Sequence, residues 1–108
     1  MKQLIGLFTL FYIYSCVNCK EYTKGNAEEE CFIVVETLPT LNTVLFKING
    51  YDPTTQKQKT CESDRRWWNQ YNNEIELGDT IIKKKGELTF NIHKKDTVIS
   101  HEWQCYEN

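Results

Sequence analysis

The chain has 108 residues, enough for one small core and too few for two. Thirteen basic and fifteen acidic residues are interleaved along it, for a formal net charge of -2. No extended positive field exists to hold a phosphate backbone, and nucleic acid is not an expected partner. Hydrophobic content of 40%, 13% aromatic residues and only two prolines describe a folding domain, not a disordered tail.

At the start of the chain, Lys2 is followed by an uncharged apolar run from Leu4 to Tyr14, too short to span a bilayer and suited to the apolar core of an export signal. Two processing routes fit. In one, residues 1–15 are the signal and Ile13-Tyr14-Ser15-Cys16 is a lipobox, with Cys16 carrying lipid as the mature N-terminus. In the other, a signal peptidase cuts after Cys19, behind Val17-Asn18-Cys19. The lipobox leaves four cysteines, an even set that can close into pairs in an oxidising compartment, and this arithmetic favours it. Residues 16–30 are polar and charged, without apolar periodicity, and read as a tether.

Residues 31–108 then form a single small domain. Strand-length runs follow one another with turn signals between them: Cys31 to Thr37, Thr43 to Ile48, Trp67 to Leu77, Thr80 to Lys84, Leu88 to His93 and Thr97 to Trp103. Asn49-Gly50 and Asp52-Pro53 break the second run, Gly78-Asp79 closes the third, and Lys85-Gly86 and Lys94-Lys95-Asp96 turn the last hairpins. Leu88, Phe90 and Ile92 share one face of their run, the mark of a half-buried antiparallel strand. Apart from a helical turn within Asp64 to Asn73, no helix is expected after the signal. The predicted fold is all-β and mainly antiparallel, a small sheet, sandwich or barrel of about six strands.

The opening residues through Cys16 resemble the lipoprotein signals of Bacteroidota, flavobacteria in particular. The segment from Glu74 to Leu88 (EIELGDTIIKKKGEL) resembles a stretch of their small lipoproteins. The resemblance covers the signal and the C-terminal third. It implies an address, the cell envelope on the outer-membrane or periplasmic side with lipid on Cys16 as the membrane anchor, and no activity. Multiple acyl chains, at about 0.8 kcal/mol per buried methylene, would hold the chain on a membrane without help from the domain.

Four cysteines permit three pairings. The expected staple is Cys31 with Cys105, joining first strand to last, with Cys19 to Cys61 as the second bond. The four cysteines that the lipobox leaves include no C-x-x-C pair to suggest a metal, and no cofactor is expected. His93 and His101 could meet on neighbouring strands, with Glu102 or Asp96 as orienter, but no nucleophile motif accompanies them, so no catalytic residue is assigned and no enzyme is expected. The candidate partner-binding residues are Arg65, Arg66, Trp67, Trp68 and Tyr71, since adjacent tryptophans on a strand face opposite ways and one is left outside the core. Lys83-Lys84-Lys85 reads as a solvated turn. The expected function is a non-enzymatic binding or interaction module of the envelope. The alternatives are a structural accessory subunit of an envelope complex and a secreted, lipocalin-like protein for a small ligand.

Overall fold

The computed structural model describes residues 19–41 and 43–105. The expected signal segment and Cys16 lie outside the described residues. The fold is a six-stranded antiparallel sheet with strand order β3-β2-β1-β4-β5-β6, formed by β1 (Cys31–Thr37), β2 (Phe46–Tyr51), β3 (Gln58–Ser63), β4 (Thr80–Lys83), β5 (Thr89–His93) and β6 (Val98–Glu102). A 3-10 helix, Trp68–Glu74, lies between β3 and β4, and a helix over residues 19–28, α1, precedes β1.

Alternation fixes one face of every central strand inside. Ile33, Ile81, Ile92 and Ile99 stand opposite one another from β1 through β4 and β5 to β6, a continuous row across four strands. The first three of these are fully buried. Phe46 on β2 meets Phe90 on β5 edge to face, with ring centroids 6.1 Å apart. Two strands lie between β2 and β5, a span of about 14 Å in a flat sheet. The sheet therefore curls, and the β2–β3 hairpin folds toward the concave face of the other four strands.

Two local features permit the bend. The pairing of β1 with β2 slips between Val35 and Thr37, a bulge that sharpens the twist. Gly50 packs so closely on β1 that a Cβ there would run into the carbonyl oxygen of Val34. The expected turn at Asn49-Gly50 is thus inside β2, and the chain reverses further on. There the Asp52 carboxylate accepts the N–H groups of Thr54 (2.7 Å) and Thr55 (3.1 Å).

Both disulfides differ from the expected pairing. Cys31 bonds Cys61, and Cys19 bonds Cys105. In the strand order, β6 lies three places from β1, about 14 Å away, beyond the reach of a disulfide from Cys31. The folded-over hairpin instead brings Cys61 to Cys31, with Cα atoms 5.8 Å apart.

The tether reading also gives way, because residues 19–28 are helical and packed on the sheet. Lys83, expected in a solvated turn, is 1% exposed. Its ammonium donates to the carbonyls of Ala27 (2.9 Å) and Glu29 (2.6 Å), supplying donors to carbonyls at the helix end that have no partner within the helix. Burial lowers the Lys83 pKa, against the opposing pull of Glu29, Glu87 and Glu30.

Phe90 touches the rings of Phe46, Trp67, Trp68 and Tyr71. Phe90→Ala is expected to cost about 3–5 kcal/mol in urea unfolding, whereas Val98→Ala, on the half-exposed side of β6, is expected to cost under about 0.5 kcal/mol.

Candidate binding cleft

The chain leaves β3 through Asp64 and Arg65 and turns at Arg66, whose φ of 62° lies in the left-handed region that non-glycine residues rarely adopt. Gln70 holds the turn, its side-chain amide donating to the Arg66 carbonyl at 2.7 Å. Helical geometry follows at once, so Trp67 and Trp68 do not point to opposite faces as they would on a strand. Both are 1% exposed. Trp68 packs edge to face on Phe46 in the core and is no partner-binding anchor.

Trp67 forms the inner wall of a surface cleft. Its indole N–H donates to the Tyr71 hydroxyl at 3.1 Å, and its ring meets Trp103 at 5.7 Å. Tyr71 is held between Phe90 and His101, the latter stacked at 3.8 Å with the rings 3° from parallel. Glu74 Oε1 lies 2.8 Å from His101 Nε2 and fixes that ring in turn. Trp103 donates its indole N–H to Thr23 Oγ1 on α1 at 2.9 Å, closing the cleft against the helix. Tyr22 on the helix is 56% exposed at its mouth.

The cleft encloses about 720 Å³ between α1, the turn at Arg65 and Arg66, and the end of β6. It holds charges of both signs, the two arginines on the turn and Glu102 on the strand. Arg65 lies 3.8 Å from Glu29 and rests on Gly25, where any side chain would collide with its guanidinium. Arg66 is exposed and, among the described residues, has no ion-pair partner. The cleft thus offers an uncommitted guanidinium, a carboxylate, a phenol and an aromatic wall.

Of the expected partner-binding residues, Arg65, Arg66, Trp67 and Tyr71 line this cleft and Trp68 does not. Tyr22, Gln70, Glu102, Trp103, Gln104 and Cys105 complete it. Sequence reasoning missed Tyr22 because it assigned residues 16–30 to a tether. Trp103 ends the last expected run, and its place just past β6 carries it to the cleft. His93 and His101 do not meet: His93 stands opposite Val98 and His101 opposite Phe90. The orienting acid of His101 is Glu74, neither Glu102 nor Asp96. Among the described residues, no three His, Cys, Asp or Glu side chains are grouped to hold a metal.

No protein-family model, no curated protein and no solved structure matches this chain.

Burial raises the Tyr71 pKa above its ordinary 10.0. The Trp67 N–H opposes the shift, and Glu74 adds to it. The native state keeps this proton where the unfolded chain has lost it, so stability falls as pH rises through 10 toward the raised value. A spectrophotometric phenolate titration is expected to show one tyrosine ionising late in the wild type and absent in Tyr71→Phe.

Proposed function

We propose that this is an exported binding module, tethered to a bacterial cell envelope by lipid on Cys16, which captures a partner through the cleft of Tyr22, Arg66, Tyr71 and Trp103. The single observation that carries the reading is Arg66: an exposed cation held at a strained φ beside aromatic walls, with no carboxylate of the described chain to neutralise it. Strained backbone persists where the surroundings enforce it, and such positions cluster at functional sites. The concave face is filled by Phe46, Trp67, Trp68 and Phe90, so the place for a partner is the surface cleft, not the sheet interior.

Cysteine arithmetic supports the export half of the proposal. The two disulfides consume four of the five cysteines and leave Cys16 over, the residue of the lipobox. Paired cysteines persist in oxidising compartments outside the cytosol. Because Cys19, already helical and disulfide-bonded to the domain, is three residues beyond Cys16, the lipid would hold the domain within about 10 Å of its anchoring point. The module acts by binding and not by catalysis. His101 is committed to Glu74 and stacked under Tyr71, and among the described residues no hydroxyl or thiol is hydrogen-bonded to it.

Mass spectrometry of the protein from its host membrane is expected to find diacylglycerol on Cys16, and Cys16→Ala to move the protein to the soluble fraction. An unmodified N-terminus at Lys20 would overturn the anchor. For the cleft, affinity capture from envelope extracts is expected to lose the same partner with Arg66→Glu and with Tyr22→Ala. Both side chains are exposed, so thermal unfolding should stay within a few degrees of wild type.

A further inference from the structure

The two disulfides are not equally accessible. Cys31 and Cys61 are 1% and 5% exposed and lie in paired strands, so a reductant reaches their bond only if the sheet opens. Cys105 is exposed and Cys19 half-buried, and Cys105 lines the cleft. Lys20 and Lys24 line the same surface depression as Cys19, and cationic neighbours favour the thiolate over the thiol. Exposed disulfides are the labile ones, whereas buried ones resist reduction.

Helix α1 is held unevenly along its length. Its second half is seated: Gly25 lies under the Arg65 guanidinium, Asn26 is fully buried, and the Ala27 carbonyl accepts from both the Lys83 ammonium and the Gly86 N–H. Its first half is tied by the Cys19–Cys105 bond and by the hydrogen bond from the Trp103 indole to Thr23 Oγ1. Tyr22, a wall of the cleft, lies between these two ties. The end of β6 has its own hold on the sheet, since the Trp103 N–H donates to the Leu88 carbonyl at 2.9 Å. Cutting the disulfide therefore frees the helix and not the strand.

We propose that the Cys19–Cys105 disulfide is a redox switch on the cleft: a dithiol reductant opens it selectively, residues 19–24 detach from the end of β6, and the cleft loses the wall that Tyr22 supplies. One thiolate of the dithiol attacks the exposed Cys105 sulfur. The bond to Cys19 breaks, and its electron pair leaves on the Cys19 sulfur, which takes a proton from water. The second thiol of the reductant loses its proton and attacks the reductant's own sulfur in the mixed disulfide, releasing Cys105 as a thiol and closing the reductant's disulfide. Two electrons pass from the dithiol to the protein. The Cys31–Cys61 bond is kept, and with it the folded-over hairpin and the aromatic core. What the switch controls rests on the capture reading; the selective reduction and the release of the helix do not.

The test titrates the mature protein, with no partner present, with dithiothreitol from about 10 µM to about 10 mM, then alkylates the free thiols and maps them by mass spectrometry. Cys19 and Cys105 are expected to be alkylated at a reductant concentration at least about tenfold below that needed for Cys31 and Cys61. In the half-reduced protein, amide hydrogen exchange is expected to quicken about tenfold or more over residues 19–24, while β1, β4 and β5 keep their protection. The double variant Cys19→Ser, Cys105→Ser is expected to exchange in the same pattern without reductant; should it fail to fold, reduction of the wild type decides. Opening of both bonds together, or of Cys31–Cys61 first, overturns the proposal, as does a half-reduced protein in which residues 19–24 exchange as slowly as in the oxidised one. Neither measurement contains a partner, so a failed capture experiment would count against the capture reading and leave these results standing.

Discussion

The ring of Phe90 is the point on which the curvature of the sheet turns. It sits at the centre of the concave face and is met from β2 by Phe46, from the 3-10 helix by Trp68 and Tyr71, and from the turn by Trp67. Aromatic contacts of this kind are favourable beyond the area they bury, and they require the rings to approach within about 7 Å. A flat sheet would hold β2 and β5 twice that far apart. The aromatic cluster and the bend are therefore one requirement, and Gly50 and the slip after Val35 are the backbone features that let it be met. The cleft inherits its position from the same cluster, because Trp67 and Tyr71 are at once core residues on one side and cleft wall on the other.

Helix α1 is attached by a different kind of force. The side chains it turns inward are Cys19, Thr23, Gly25 and Asn26, none of which is a large apolar group. What holds it is directional: the Lys83 ammonium on the carbonyls of Ala27 and Glu29, the Gly86 N–H on Ala27, the Trp103 indole on Thr23, and the Cys19–Cys105 bond. A buried ammonium is costly unless hydrogen bonds replace its water, and carbonyls at a helix end are suited to do so. Tyr22 reaches the cleft only because this polar anchorage holds. The site is thus built where a hydrophobic wall and a hydrogen-bonded helix meet.

That division explains what was legible in the sequence. Strands β1, β4, β5 and β6 could be read from alternation almost to the residue, because each has one face against the aromatic core and one away from it. β3 (QKTCES) escaped, since an edge strand whose inward residues are a cysteine and a serine shows no hydrophobic period. The run from Trp67 to Leu77 read as a strand because its aromatics favour one, but the left-handed turn at Arg66 redirected the chain into a 3-10 helix. Helix α1 could not be read from hydropathy at all, its buried face being small and polar. Of the cleft, the part carried by the conspicuous Arg-Arg-Trp-Trp cluster was legible. The part supplied by Tyr22 and Glu102 was not, since tertiary pairing alone brings α1 and β6 beside that cluster.

The two disulfides divide their labour along the same line. Cys31–Cys61 is buried and ties the folded-over hairpin to β1, within a core already held by aromatic contacts. Cys19–Cys105 lies at the surface and spans 86 residues, so in the loop-entropy account it removes about 4.6 kcal/mol of unfolded-state freedom, against about 3.6 kcal/mol for the 30-residue loop of the buried bond. The larger constraint thus falls where the packing is poorest, at the polar helix and the end of β6. Those are also the elements that carry Tyr22, Trp103 and Glu102 to the cleft. A chain of this size has little core to spare for holding a helix that offers no apolar face, and a covalent link at Cys19 accomplishes what packing there cannot.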